Sequence, residues 1–222
     1  MLLALAAAAL ISLHAAPARA NEVINGSFES PLVPNNGLTL FAANSTLIQG
    51  WTVFGHDVAV LDTGFTCCGS FVTIAQDGNQ FVDLTGNSER AGGGVSQAVQ
   101  TIPGREYVLG FSVGDARVLT TTPGGSFVNV GLGGSSIGTF GSLAAGGTVQ
   151  WQHHEVHFIA TGSAAILSFS GADAVGDVFT GLDNVTLDLV PVPVPGMLVL
   201  FGACAAGLAR RRLAPSGNDS PC

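Results

Sequence analysis

His153, His154, Glu155 and His157 form the densest group of metal-capable side chains in this sequence. Their spacing decides against a shared ion. On a β-strand, His153, Glu155 and His157 share one face while Val156 and Phe158 take the other. Residues two apart on a strand lie about 7 Å from each other, so His153 and His157 are roughly 13 Å apart and cannot ligate one metal without a bulge. The expectation is a solvated polar face.

Gly134-Ser135-Ser136-Ile137-Gly138 fits the Gly-x-Ser-x-Gly pattern of a serine nucleophile. That pattern works chemically only on a sharp turn from a strand into a helix. Here glycines lie on both sides and no helix is predicted to follow, so Ser136 is expected to be unreactive. Glycoside hydrolysis would need two carboxyls at a set separation. Asp57, Asp62, Asp77, Asp83, Glu89 and Glu106 are available, but most flank turns and none stands in a recognisable catalytic setting. Sugar binding asks instead for exposed aromatic faces with polar groups around them. The aromatic stock is Trp51, Trp151, Phe54, Phe65, Phe71, Phe81 and Tyr107. Trp51, Phe65 and Trp151 are the candidate carbohydrate contacts, with burial in the core as the competing role for the two tryptophans.

The elements that must position these groups read as all β. Glycine recurs every few residues and no long amphipathic helix is present. Short strands are predicted over 47–54, 58–61, 71–75, 80–84, 95–101, 107–113, 127–132, 148–158, 164–170 and 184–190. Gly-, Pro- and Asn-rich turns separate them, the pattern of a sandwich or barrel. Residues 131–147 read as a long surface loop.

Charge narrows the partners. The chain has no lysine, and its formal net charge is −8. Between residues 21 and 190 there are fourteen acids against Arg90, Arg105 and Arg117, about −11. Such a surface repels phosphate backbones and argues against nucleic acid. It suits divalent cations and neutral polymers. Cys67 and Cys68 are adjacent, a poor spacing for zinc. A vicinal disulfide, two separate thiols and pairing with another chain stand open.

Both ends are apolar. Residues 1–20 read as a signal peptide ending in Ala18-Arg19-Ala20, with a mature start at Asn21. Residues 191–212 carry Pro193-Val194-Pro195, an uncharged segment over 196–209, and Arg210-Arg211-Arg212. The segment is short for a transmembrane helix, and the arginines sit where cytoplasmic charge belongs. Residues 213–222 form a short tail. The ordered tail pattern resembles the PEP-CTERM sorting signal, with Val194 where that family has Glu. The resemblance implies an exosortase-type sorting enzyme as partner, transient anchoring at the membrane, and delivery to a bacterial cell surface or extracellular matrix. A plain membrane anchor is the alternative.

The domain over 21–190 carries ordered landmarks. They are Asn25-Gly26-Ser27-Phe28-Glu29, Ile48-Gln49-Gly50-Trp51, Asp77-Gly78-Asn79-Gln80-Phe81-Val82-Asp83-Leu84, Val95-Ser96-Gln97, Ile102-Pro103-Gly104-Arg105-Glu106-Tyr107 and Gly181-Leu182-Asp183-Asn184-Val185. In this order they resemble the DUF642 family. The resemblance implies a jelly-roll β-sandwich of the galactose-binding-like kind, tied to extracellular polysaccharide or biofilm matrix and non-catalytic. A secreted polysaccharide hydrolase and a ligand-free structural protein are the alternatives. Similar modules carry a structural calcium near their joined termini. This implies Glu29 and Asp183 as its carboxylate ligands, completed by main-chain carbonyls.

Overall fold

A computed structural model describes residues 21–67, 71–88, 91–117, 125–142, 148–172 and 178–192. The signal-peptide reading over 1–20, Cys68, and the sorting-signal residues Pro193, Val194, Pro195, Arg210, Arg211 and Arg212 lie outside them. So does the apolar segment 196–209. Among the described residues no helix is long and apolar enough to cross a membrane.

The strands are β1 (Leu38–Phe41), β2 (Thr52–Phe54), β3 (Val58–Asp62), β4 (Thr66–Cys67), β5 (Phe71–Val72), β6 (Gln80–Asp83), β7 (Gly94–Gln100), β8 (Glu106–Arg117), β9 (Ser126–Leu132), β10 (Ser135–Ser142), β11 (Gln150–Ile159), β12 (Ala164–Gly171) and β13 (Val178–Leu189). Two antiparallel sheets pack face to face, with orders β1-β3-β6-β13-β8-β11 and β10-β9-β12-β7-β2. Alternation explains the core. Tyr107, Leu109, Phe111 and Val113 of β8 point inward against Val95, Val128, Val130, Leu167 and Phe169 of the second sheet.

The six-stranded sheet also carries a second apolar cluster. Ala59, Leu61, Phe81 and Val149 gather there, joined by Phe65, Ala75, Trp151 and Phe179. Ala59, Leu61 and Phe81 alternate with the core residues Val58, Val60 and Val82, so they stand on the sheet's outer side. The β4–β5 hairpin and the chain leading to residue 79 lie over it. The Thr73 hydroxyl donates to the Asp62 carbonyl at 2.6 Å, and the Ala75 amide to the Thr63 hydroxyl at 3.0 Å.

Two expectations change. The stretch 131–147 is not simply a loop. Residues 135–142 form β10, paired with β9 across a tight turn at Gly133-Gly134, and Gly138 marks a register shift. Glycine richness here serves a hairpin and its bulge. The edge strand β1, unpredicted, pairs with β3.

Candidate functional site

The first landmark is built around backbone geometry. Asn25 and Phe28 adopt positive φ values of 54° and 55°. A Cβ at Gly26 would run into the Val185 carbonyl, while the Val185 amide donates to the Gly26 carbonyl at 3.0 Å. Only glycine therefore lets the opening segment lie against the last strand. The Phe28 ring is buried and meets Trp51 at 5.3 Å between centroids.

Trp51 is buried, and its indole N–H donates to the Asn25 carbonyl at 3.0 Å. The ring presents no face to a sugar, which corrects its assignment as a carbohydrate contact. Landmark pairing continues with Gln97. Its side-chain amide accepts the Ile24 N–H at 2.7 Å and donates to the Ile24 carbonyl at 2.9 Å. The landmarks at 25–29, 48–51 and 95–97 thus form one structural knot.

Glu29 and Asp183 do converge on a single feature, the turn at residues 76–80. Glu29 Oε1 accepts the amides of Asn79 and Gln80, both at 2.7 Å. Asp183 Oδ2 accepts those of Gln76 and Asp77 at 2.8 and 2.9 Å, and its Oδ1 accepts Asn184 N–H at 2.7 Å. Calcium requires six to eight oxygens around it. Here three of the four oxygens, Glu29 Oε1 and both of Asp183, face N–H donors, and among the described residues no group of three or more His, Cys, Asp or Glu could hold a metal. The arrangement holds the turn without the implied ion. The turn is pinned to the termini by amide-to-carboxylate bonds instead.

Burial is the main cause that raises the Asp183 carboxyl to about 7; its amide partners oppose the shift and the Asp77 charge adds to it. Asp83 is likewise raised to about 7 by burial. The Thr85 side chain, the Thr85 amide and the Thr180 amide all oppose that shift, while Asp57 adds to it. Neither residue lines the cavity of about 390 Å³ at Thr101, Leu132 and Phe158 or the one of about 370 Å³ at Leu32, Asp62 and Asn79. The other candidate carboxylates are scattered. Asp57 accepts the Asn87 amide at 2.9 Å, Asp77 the Ser27 hydroxyl at 2.5 Å, and Glu106 faces His157 at 3.0 Å. Glu89 lies outside the described residues.

The polar face of β11 matches expectation. His153, Glu155 and His157 are exposed and alternate with half-buried His154, Val156 and Phe158. His154 packs between Phe111 and Phe140, and its Nε2 lies 2.9 Å from the Gly141 carbonyl. It joins edge strands of the two sheets. Ser136, the serine at the nucleophile position, is exposed near the start of β10 and runs on into strand, not helix. The nucleophile turn is not formed.

Trp151 and Phe65 belong to the outer cluster. Trp151 lies across Gly114 and Gly181, where a Cβ would collide with its ring, and meets Phe81 edge-on at 5.3 Å. Its N–H donates to the Ile74 carbonyl at 2.8 Å. Both residues are half-buried. They mainly cover the six-stranded sheet.

The concave feature beside the pinned turn is a cavity of about 370 Å³ lined by Leu32, Val33, Asn35, Asp62, Thr63, Asn79 and Gln80. Gln80 shapes its wall. It accepts the Val33 amide at 2.7 Å and donates to the Phe28 and Pro31 carbonyls at 2.7 and 3.0 Å. Leu32 is 84% exposed. The side chains of Asn35 and Asn79 are exposed and make no hydrogen bond among the described residues. Asp62 accepts the Asn36 amide through Oδ2 at 2.7 Å. An apolar side chain beside two open amides and a carboxylate can stack on and hydrogen-bond a polyhydroxyl ligand. Sequence reasoning missed Leu32, Asn35 and Asn79. Turn-forming Asn residues usually serve the backbone, and only the fold shows these two facing one cleft.

The fold has relatives among solved structures. A cyclase from Fischerella sp. TAU, in complex with 4-(1H-indol-3-yl)butan-2-one, is similar at 17% identity and a TM-score of 0.55, covering 80% of this chain and 100% of the cyclase. The Stig cyclase Fisc from Fischerella sp. TAU is similar at 17% identity and a TM-score of 0.55, covering 79% of this chain and 100% of its own. TmCBM61 in complex with β-1,4-galactotriose gives 18% identity and a TM-score of 0.48, over 77% of this chain and 99% of its own. The cyclase similarity establishes a common sandwich. No curated protein matches the chain. Residues 21–187, spanning both the pinned turn and the knot, match a family described as proteins of unknown function, and the chain belongs to that family, DUF642.

Proposed function

We propose that this domain, a sandwich of the jelly-roll, galactose-binding-like kind, is a non-catalytic module that binds extracellular polysaccharide. The single observation that carries the reading is the cleft at Leu32, Asn35, Asp62 and Asn79, where an exposed apolar side chain adjoins open, solvent-facing amides. The acidic, lysine-free composition favours neutral glycans over polyanions. The raised carboxyls are internal and hydrogen-bonded, which supports binding over hydrolysis.

The apolar start and the Pro193-to-Arg212 tail support export and sorting to the cell surface, with a temporary membrane anchor. Intact mass of protein released from the producing cell tests this: loss of everything beyond about residue 193 is expected, and a retained tail points to a plain anchor. Binding is tested by retention of the full chain on an array of neutral and acidic polysaccharides. Retention on neutral glycans, reduced about tenfold in an Asn35→Ala, Asn79→Ala double variant, is the expected result. A folded chain retained by no glycan overturns the proposal.

A further inference from the structure

The five-stranded sheet differs from the six-stranded one in charge. None of the residues in β2, β7, β9, β10 and β12 is Asp, Glu, Lys, Arg or His. Every charged strand residue belongs to the six-stranded sheet. In a chain this acidic, one sheet has been kept electrically neutral.

Register places what stands on its outer face. Phe54 lies opposite Gly94, Gly94 opposite Ser170, and Ser170 opposite Asn129, which pairs with Thr139. The next row runs Thr52, Ser96, Ser168, Gly131. Val53, Val95, Val128 and Phe169 point the other way, into the core. Asn129 Oδ1 accepts the Thr139 hydroxyl at 2.7 Å, so its amide N–H groups remain for other partners.

Two half-buried phenylalanines lie along this surface instead of standing away from it. A Cβ on Gly94 would collide with the Phe54 ring, and one on Gly141 with the Phe127 ring. Glycine at each spot lets a ring rest close to the strand plane. Phe54 and Phe127 are three strands apart and one two-residue step along, on the order of 16 Å. Ser170 and Asn129 occupy the space between. Covering a bare glycine can stabilise a sheet by itself. That role places no demand on charge, whereas the whole face is uncharged.

We infer that the outer face of the five-stranded sheet is a second glycan-docking surface, fitted to a neutral polysaccharide presented as a flat, insoluble polymer. Phe54 and Phe127 supply stacking faces and Asn129, Ser168 and Ser170 the hydrogen bonds. Neutrality matches an uncharged polymer and avoids burying a charge under it. The inference rests on the glycan-binding reading above but concerns a different surface.

The test is co-sedimentation of the full chain with washed cellulose and with chitin, alongside retention of soluble oligosaccharides of the same sugars. Phe54→Leu keeps Gly94 covered but removes the ring face. Ser170→Arg raises a long charged chain in the middle of the platform. Each is expected to lower sedimentation at least about tenfold with the melting temperature held, while oligosaccharide retention stays. The Asn35→Ala, Asn79→Ala variant should show the reverse. Folded Phe54→Leu and Ser170→Arg chains that sediment like wild type overturn the inference. Soluble sugars retained without any sedimentation overturn it while leaving the cleft intact. Failure of both assays with wild-type chain removes both proposals.

Discussion

Asp183, on the last strand, accepts the backbone amide of Asp77 at 2.9 Å across 106 residues of sequence. Through that bond and those of Glu29, the turn at 76–80 is held by both ends of the domain. Asp183→Ala would leave the Gln76 and Asp77 amides without their acceptor. A loss of about 2 kcal/mol is expected, since each stranded donor costs roughly 1–3 kcal/mol when buried and less where, as here, it is only partly so. Urea unfolding measures it, and a change below about 0.5 kcal/mol would show that the turn is held by other contacts.

The same carboxyl gives the protein an unusual pH response. Asp83 and Asp183 are raised from the ordinary 3.8 to about 7. Between those values the folded chain holds protons that the unfolded chain has released. Stability therefore declines as pH rises from about 4 to about 7, then levels off. Denaturant midpoints across this range check the sign, and Asp83→Asn should remove its share of the slope. A midpoint that climbs toward neutrality, with no slope lost in Asp83→Asn, contradicts it.

Chelation offers a separate check on the termini. Because N–H donors occupy three of the four Glu29 and Asp183 carboxylate oxygens, excess EDTA should leave the melting temperature unchanged. A clear drop, restored by added calcium, would reinstate the ion and require the turn to rearrange.

Trp51 is expected to report on the core and not on ligand. Trp51→Phe should cost stability, below the roughly 3–5 kcal/mol of a full truncation to alanine, with glycan retention unchanged in the folded fraction. Loss of retention by a folded Trp51→Phe chain would place the ring nearer the ligand than its burial allows.

Gly26→Ala tests the knot at its tightest point. The added methyl meets the Val185 carbonyl, which is backbone and cannot swing aside. Loss of more than about 3 kcal/mol, or failure to fold, is expected. Normal expression and melting would mean that the first segment can lift away from β13.

The strand pattern, the acidic lysine-free composition and the polar face of β11 were legible in the sequence, because alternation and composition are local properties that survive without the fold. The order of landmarks likewise announced the family. Whether a tryptophan faces core or solvent was beyond its reach, since Trp51 sits at the entry to a three-residue strand where parity is easily lost. The partners of Glu29 and Asp183 were also hidden, because amides at residues 76–80 meet them only after distant segments pack. The neutrality of one sheet is written in the residues, but knowing which strands share it requires their order. That order, β10-β9-β12-β7-β2, is a property of long-range pairing. Tertiary structure alone brought Phe54, Ser170 and Asn129 into one row, because cross-strand neighbours are chosen by register and not by distance along the chain.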